Sequence, residues 1–184
     1  MTGGGRIHIY TGDGKGKTTA ALGLLLRFLG TGGRAVLVQF DKGAGAEDFY
    51  GERAVFPLLT GLTHHPTGLP RFNPEKGTFR FNNGPGDFKE AGRGMDLARA
   101  ALASGAGLVV LDEILSLLLT GLVKESAVLA LLDRYEELGR PCELVLTGHK
   151  TFPALEQRAD LITRMEKAKH YFDKGEKARK GIEY

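Results

Sequence analysis

Short aliphatic segments alternate along this chain with longer stretches of helical periodicity. The segments that the pattern predicts as strands are 6–10, 34–40, 107–112, 143–147 and 161–165. The stretches that it predicts as helices are about 17–29, 88–103 and 125–138. Buried strands that alternate with helices are typical of an α/β protein, so we expect a mainly parallel sheet flanked by helices.

Two regions depart from this regular alternation. The first predicted helix is apolar around most of its circumference, which predicts a mostly buried helix that ends at the glycines from Gly30 onward. Residues 41–86 are rich in Gly, Pro and Asn with scattered aromatics, so we expect an irregular region there. A long irregular region in a small protein is usually a lid or a binding surface.

Glycine and lysine dominate the junction between the first strand and the first helix. It reads Thr11-Gly12-Asp13-Gly14-Lys15-Gly16-Lys17-Thr18-Thr19. Such glycines let backbone N–H groups approach phosphate oxygens, while Lys17 supplies a point charge and Thr18 a hydroxyl for a bound Mg²⁺. The junction therefore predicts a nucleoside triphosphate site. Thr11 stands where the G-x-x-x-x-G-K-[ST] pattern has its first glycine, so the match is incomplete. The alternative to a phosphate-binding loop is an ordinary glycine-rich turn.

Polar residues follow two of the other predicted strands. Asp112 and Glu113 end the third strand, where P-loop proteins hold Mg²⁺ directly or through water. Thr147-Gly148-His149 follows the fourth strand, at the end where α/β folds place ligand contacts. The alternative for Asp112 and Glu113 is a strand that simply ends in solvated acids. The alternative for Thr147-Gly148-His149 is a turn with an exposed histidine.

Length and composition set the wider limits. At 184 residues, 42% hydrophobic and 26% charged, the chain is long enough for one domain over 1–184. A net charge of +3 provides no broad cationic field for nucleic acid, and charges interrupt the most apolar stretch. Cys142 is the sole cysteine, which excludes an intramolecular disulfide and a thiolate cluster. We expect a cytoplasmic protein that binds neither nucleic acid nor membrane.

Together these motifs resemble the P-loop family of ATP:corrinoid adenosyltransferases over nearly the whole chain. The residues that carry the resemblance are the glycine-rich junction with Ala20-Ala21, Arg27, Val38-Gln39-Phe40, Lys42-Gly43, residues 109–113, Thr147-Gly148 and the tail 169–184. The tail is the most specific, because similar enzymes end in His-x-Phe-Asp-x-Gly-x-Lys-Ala-x-x-Gly-Ile. The resemblance implies a single-domain, RecA-like P-loop fold.

The same resemblance implies a reaction. Similar enzymes transfer the 5′-deoxyadenosyl group of ATP to Co(I) of a corrinoid, either cob(I)alamin or cob(I)yrinic acid a,c-diamide, and release inorganic triphosphate. That reaction serves adenosylcobalamin biosynthesis or salvage. Co(I) is itself the nucleophile, so no side-chain nucleophile is needed. A homodimer and a flavodoxin-type or flavin reductase are the implied protein partners.

The resemblance also implies roles for individual residues. The residues expected to act in catalysis are Lys17, Thr18 and Glu113. Those expected to bind ATP are Gly12, Asp13, Gly14, Lys15, Gly16, Lys17, Thr18, Thr19 and Arg27. The ligands expected for Mg²⁺, with Mn²⁺ as the alternative ion, are Thr18, Asp112 and Glu113. Similar enzymes carry Thr-Gly-Phe-Thr-Trp where this chain has residues 67–72, which assigns the apolar contacts with the corrin to Leu69 and Phe72.

The charged tail, 166–184, and the overall function each leave alternatives open. Acidic residues interleave with the lysines of the tail, which favours a tail folded back over the nucleotide site, or a solvated end, over a basic arm for nucleic acid. The rival functions are an ATP-binding corrinoid carrier or regulator, a RecA-like ATPase and a nucleotide kinase. The identity of the product separates all of these.

Overall fold

A computed structural model describes residues 4–43, 50–73, 78–80 and 82–183 of the chain. In chain order its helices and strands are β1 (Ile7–Thr11), α1 (Lys17–Leu29), β2 (Ala35–Gln39), β3 (Leu62–Pro66), β4 (Phe72–Asn73), β5 (Thr78–Phe79), α2 (Pro85–Leu102), β6 (Leu108–Asp112), α3 (Ile114–Leu119), α4 (Glu125–Glu137), β7 (Glu143–Gly148), α5 (Pro153–Glu156) and β8 (Leu161–Arg164). Short 3₁₀ turns cover Gly51–Ala54, Phe56–Leu58 and Tyr171–Lys174.

The six longer strands form one parallel sheet in the order β3-β2-β6-β7-β1-β8. The register sets Thr11 of β1 beside Gly148 of β7, and Gln39 of β2 beside Asp112 of β6. The carboxyl ends of these strands therefore meet at one edge of the sheet, where α/β folds bind their ligands. The predicted α/β class with a mainly parallel sheet is confirmed.

Helices cover both faces of the sheet. On one face, Ala21 and Leu25 of α1 pack against Leu37, Val110 and Val145. On the other face, residues of α2, α3 and α4 pack against the remaining strand side chains. Every residue of β2 and β6 is buried as a result, which is why the first four residues of each strand are aliphatic without an alternating pattern.

The prediction that α1 is mostly buried is wrong. Its buried residues, Lys17, Ala21, Leu25 and Leu29, recur every four positions and form a single stripe. Leu26, on the outward side, is 57% exposed. A helix that packs on a sheet fully buries only the stripe that faces it, and Leu22 and Leu24 pack at the margins of that stripe.

Strand β3 and helix α3 have no counterpart among the predicted elements. β3 lies inside the region predicted to be irregular, as a half-buried edge strand parallel to β2. Its sequence, LTHHP, has no aliphatic run, because an edge strand is ordered mainly by backbone pairing with its neighbour. The rest of the region between Asp41 and Pro85 contains only short elements in its described part. No described helix has both the length and the apolar character needed to cross a membrane.

Candidate active site

The glycine-rich loop begins one residue later than the sequence pattern suggests. Thr11 is the last residue of β1, pairs with Gly148 and Arg164, and is not among the residues with positive φ. Its backbone therefore has no need of glycine. Gly12 does have a positive φ, 114°, and a Cβ there would lie 2.3 Å from the carbonyl oxygen of Met165. The departure at Thr11 is thus compatible with a phosphate-binding loop.

Lys17 is folded over the loop that precedes it. Its ammonium donates hydrogen bonds to the carbonyl oxygens of Gly12 and Gly14, both at 2.8 Å. Burial lowers the pKa of Lys17, and the nearby carboxylates of Glu113 and Asp13 oppose that shift. The loop therefore holds the Lys17 ammonium at a defined position. Binding of an anion would cost this side chain little further conformational entropy.

Asp112 connects the ends of four elements. Its buried carboxylate accepts hydrogen bonds from Thr18 Oγ1 at 2.9 Å and Thr147 Oγ1 at 2.8 Å through one oxygen, and from Lys42 Nζ at 2.7 Å through the other. Burial works to raise the pKa of Asp112, but the Lys42 ammonium and the two hydroxyls outweigh it and keep the pKa below its usual value. A charged carboxylate therefore lies beneath the loop.

Glu113 occupies a left-handed turn directly after Asp112. Its φ is 67°, which costs a residue other than glycine about 1 kcal/mol. Its backbone N–H donates to Thr147 Oγ1 at 2.9 Å, and Ser116 Oγ donates to its carboxylate. These bonds hold the turn, so the carboxylate of Glu113 borders the cavity above the loop while Asp112 lies below.

Lys42 is a site residue to which the sequence pattern assigned no role. Its ammonium lies 2.7 Å from Asp112 Oδ2, 3.1 Å from Thr18 Oγ1 and 5.6 Å from the centre of the Tyr50 ring. Burial acts to lower the pKa of Lys42, but the carboxylates of Asp112 and Glu113 outweigh it and raise the pKa above its ordinary value. The signal for this residue is its position just past the end of β2, at the same edge as the loop.

A cavity of about 460 Å³ opens at this edge of the sheet. Its lining consists of Lys15, Gly16, Lys17, Thr18, Thr19, Leu22, Lys42, Tyr50, Gly51, Glu52, Glu113, His149, Gly181, Ile182 and Glu183. The volume lies within the range of small-molecule sites. Three lysines and three glutamates contribute to this lining. Lys15 is paired with Glu183, so Lys17 and Lys42 are the cations that a bound anion would meet beside the loop.

The end of the chain forms part of the cavity wall. Lys15 donates to the Ile182 carbonyl oxygen at 2.9 Å, to the Glu183 carboxylate at 2.7 Å and to the Tyr171 hydroxyl at 3.2 Å. Tyr171 also donates to the Glu183 carboxylate. The bonds from Lys15 and Tyr171 hold the pKa of Glu183 well below its usual range. The loop and the tail are therefore joined through one charged cluster.

Backbone contacts join the segment after β8 to the same loop. The N–H of Gly14 donates to the Met165 carbonyl oxygen at 2.7 Å, and the N–H of Lys167 donates to Asp13 Oδ1 at 3.2 Å. The tail thus lies against the phosphate loop, as in the interpretation of a tail folded back over the nucleotide site. Through Lys15 and the carboxyl-terminal residues, it narrows the access to the cavity.

We expect Glu183→Gln to release the tail from the loop. The neutral amide keeps the shape of the side chain but loses the ion pair with Lys15, so local opening of the tail becomes easier. Tryptic cleavage of the folded protein after the tail lysines should become about threefold faster or more, as measured by mass spectrometry. Glu176→Gln is the matched control, because Glu176 lies 3.9 Å from its partner Arg179. Equal cleavage of the parent and Glu183→Gln would show that this ion pair does not hold the tail.

His64 lies on β3 beside the polar groups of the site. Its Nε2 donates to Gln39 Oε1 at 2.9 Å, and its ring meets the Phe56 ring edge-on with centroids 4.6 Å apart. Burial lowers the pKa of His64 to about 4, and the positive charge of Arg53 adds to the shift. His64 is therefore neutral in the folded protein at neutral pH.

This low pKa predicts a loss of stability in mild acid. The unfolded chain protonates His64 near pH 6.5 while the folded protein does not, so the free energy of unfolding falls as the pH decreases from about 6.5 towards 4. Between pH 7 and 4.5 the parent should lose about 1 kcal/mol more than His64→Gln, since partial exposure reduces the full effect. Urea unfolding of both proteins at each pH measures the difference. Parallel pH profiles would contradict the low pKa.

The structure brings most of the predicted phosphate-site residues together. Lys15, Gly16, Lys17, Thr18, Thr19 and Glu113 line the cavity, Gly12 and Gly14 hold Lys17, Asp13 binds the tail, and Asp112 lies beneath. Their roles remain predictions.

Two predicted residues lie away from this cavity, and the side chain of a third lies outside the described residues. Arg27 is exposed in the last turn of α1, about 15 Å along the helix from Lys17. Leu69 is 39% exposed and is absent from the lining of the cavity. The backbone of Phe72 lies in β4, but its side chain is outside the part of the chain that the structure describes. Contacts of these residues with ATP or corrin remain predictions.

A glycine-rich loop that contains Lys17 joins β1 to α1, and the buried Asp112 ends β6. Strand β7 lies between β1 and β6 in the sheet. This arrangement on a parallel sheet defines a P-loop nucleotide-binding protein. The model of the family described as ATP:corrinoid adenosyltransferase BtuR/CobO/CobP matches residues 4–184. The chain belongs to this ATP:corrinoid adenosyltransferase family.

Individual relatives agree with the family match. The chain is 34% identical over 184 residues to a corrinoid adenosyltransferase of Pseudomonas aeruginosa, covering 98% of this chain and 84% of that protein. It is 32% identical over 183 residues to a corrinoid adenosyltransferase of Escherichia coli K12, covering 98% and 86%. It is also 37% identical over 180 residues to an uncharacterized protein of Nostoc, covering 90% of this chain and 45% of that protein.

Proposed function

We propose that the chain transfers the 5′-deoxyadenosyl group of ATP to the Co(I) centre of a corrinoid and releases inorganic triphosphate. The observation that carries the proposal is the convergence of Lys17 and Lys42 on one cavity at the glycine-rich loop. Membership in the ATP:corrinoid adenosyltransferase family supports the choice of reaction. A cavity at the glycine-rich loop is where that reaction would need to bind its polyphosphate leaving group.

The reaction requires no acid, base or nucleophile from the chain. Co(I) attacks C5′ of ATP, the Co–C bond forms as the C5′–O bond breaks, and the bonding electron pair leaves with triphosphate. The protein must hold C5′ in line with cobalt and stabilise the departing charge. The ammonium of Lys17 and the loop N–H groups are proposed to bind the triphosphate, with Gly12 and Gly14 keeping the ammonium in place.

We propose Mg²⁺, with Mn²⁺ as an alternative, as the ion bound with ATP. The hydroxyl of Thr18 and the carboxylate of Glu113 are hard oxygen donors that suit either ion and lie beside the cavity. Asp112 is the third proposed ligand, and its carboxylate also orients Thr18 through a hydrogen bond. The ion would neutralise charge on the triphosphate.

The corrinoid is proposed to bind against the surface that contains Leu69 and Phe72. The exposure of Leu69 is compatible with an apolar contact, and this surface belongs to the segment that connects β3 with α2. Cob(I)yrinic acid a,c-diamide is the proposed substrate, with cob(I)alamin as the second candidate. From the family resemblance we also propose a homodimer and a flavodoxin-type or flavin reductase that supplies the electron for Co(I).

The test is incubation of the protein with ATP, Mg²⁺ and chemically reduced cobalamin or cobyrinic acid a,c-diamide. Transfer gives inorganic triphosphate in the phosphorus NMR spectrum and an adenosylcorrinoid in the optical spectrum. Orthophosphate without an alkylated corrinoid would instead indicate an ATPase, and a phosphorylated small acceptor would indicate a kinase. Corrinoid that binds without alkylation would indicate a carrier or regulator, and any of these three results would refute the proposed reaction.

A further inference from the structure

Lys42 lies between two groups of the phosphate site. Its ammonium contacts Thr18 Oγ1 on α1 and Asp112 Oδ2 at the end of β6, at 3.1 and 2.7 Å. Only 12% of its side chain is exposed, and this small exposed part borders the cavity. A lysine that only neutralised the buried aspartate would have no need of access to the cavity.

Among the acceptors that the described residues supply, the ammonium of Lys42 uses two, Thr18 Oγ1 and Asp112 Oδ2. A lysine ammonium carries three N–H groups, and Thr18 and Asp112 accept from two of them. Within the described ranges, no acceptor lies within hydrogen-bond distance of the third. Lys42 is thus able to contact an anion in the cavity without leaving Asp112, so the charge on the carboxylate stays compensated.

A triphosphate leaving group benefits from cations that reach it from different directions. Lys17 reaches the cavity from the loop after β1, and Lys42 reaches it from the end of β2, three places along the sheet order from β1. Charge-assisted hydrogen bonds from two fixed ammonium groups would constrain the position of a flexible phosphate chain. They would also stabilise the negative charge that appears as the C5′–O bond breaks.

We propose that Lys42 is a second lysine that binds the triphosphate of ATP, beside Lys17, and stabilises it as the leaving group. This role rests on the adenosyl transfer proposed above. Lys42 is a catalytic residue in this proposal, because its ammonium touches the group that departs.

Arg53 holds the backbone at Lys42 in place. Its buried guanidinium donates to the carbonyl oxygens of Lys42 at 3.0 Å and Gly43 at 2.9 Å, and to Gln39 Oε1 at 3.3 Å. It also stacks on the Tyr50 ring, 4.7 Å from the centroid. These contacts fix the backbone turn after β2, so the Lys42 stem enters the site in one direction.

The test measures binding of inorganic tripolyphosphate with Mg²⁺ by titration calorimetry. Tripolyphosphate has no adenosine and needs no corrinoid, so it tests the phosphate site alone. Lys42→Met, which keeps the length of the stem, should weaken binding about tenfold or more, and Lys42→Arg, which keeps the charge, should recover most of it. Lys89→Met is the control: Lys89 is an exposed lysine of α2 outside the cavity, and its loss should change binding less than about twofold.

The outcomes separate the role of Lys42 from the proposed function. Equal tripolyphosphate affinity in Lys42→Met and the parent overturns the role of Lys42, even if the parent alkylates corrinoid. A parent that binds tripolyphosphate through Lys42 but makes no adenosylcorrinoid refutes the function and leaves the phosphate contact in place. A parent without affinity for tripolyphosphate overturns both.

A second measurement does not depend on the folding of Lys42→Met. In the parent protein, the ¹⁵N NMR signal of the Lys42 ammonium, assigned by its loss in Lys42→Arg, should shift when tripolyphosphate is added. Buried ion-paired ammonium groups exchange their protons slowly enough to be observed. A signal that stays unchanged at saturating tripolyphosphate would overturn the direct contact.

Discussion

Lys17→Ala should weaken ATP binding by about a hundredfold or more and remove adenosyl transfer with it. Lys17 is the one lysine that the loop itself holds in place, through the carbonyl oxygens of Gly12 and Gly14. Its loss removes a fixed cation from the triphosphate and frees two carbonyl oxygens that would then face the phosphate oxygens. Calorimetric titration with ATP and Mg²⁺ measures the binding, and phosphorus NMR measures the released triphosphate.

The stability of Lys17→Ala distinguishes a binding defect from a folding defect. Lys17→Ala removes two hydrogen bonds but also a buried charge whose pKa burial lowers, so the two effects on the free energy of unfolding oppose each other. We therefore expect a melting temperature within about 4 °C of that of the parent. Lys89→Ala is the matched control and should bind ATP as the parent does. Normal ATP affinity in a folded Lys17→Ala protein would remove Lys17 from the site.

Asp112→Asn should lower the free energy of unfolding by about 3 kcal/mol. The amide has nearly the same shape, but it leaves the buried Lys42 ammonium opposite a neutral group. The NH2 group of the amide donates and does not accept. The side chain therefore keeps either the bonds from Thr18 and Thr147 or the bond from Lys42, but not both sets. Urea unfolding at neutral pH, followed by circular dichroism, measures the change.

The exposed aspartate of another ion pair provides the control for this change. Asp133 pairs with Arg158 at 2.7 Å, and its side chain is 60% exposed, so water replaces the interaction when it is lost. Asp133→Asn should therefore change the free energy of unfolding by less than about 0.5 kcal/mol. An Asp112→Asn protein as stable as this control would show that the Lys42–Asp112 pair contributes little to the fold.

The parallel sheet was predictable because its central strands carry their own signal. Strands buried on both faces favour near-continuous aliphatic runs, and the first four residues of Ala35–Gln39 and of Leu108–Asp112 are all aliphatic. Leu62–Pro66 was not predictable, since its order comes mainly from hydrogen bonds to β2 and its side chains are half exposed. The outward face of α1 was not predictable either, because leucines on both sides of a helix leave the buried stripe undefined.

Some residues of the site were likewise predictable from the sequence, and others were not. The loop residues near Lys17 are contiguous in the chain, so their spacing already predicted a phosphate site and the positions of its donors. Lys42 becomes part of the site only because β2 and β6 are neighbours, which brings its ammonium to Asp112 over a separation of 70 residues. Lys15 meets Glu183 across 168 residues for a comparable reason, since β8 lies beside β1 and delivers the tail to the loop.

The sequence by itself determined the α/β class, the glycine-rich loop and the family resemblance, because each depends on local pattern or on contiguous motifs. Only the tertiary structure decided that Thr11 needs no glycine, that Lys42 shares Asp112 with Thr18, and that the tail forms a wall of the cavity. These features depend on strand order and on distances between remote residues. Periodicity along the chain carries no information on either, because it reports which face of an element is buried and not which element lies beside it.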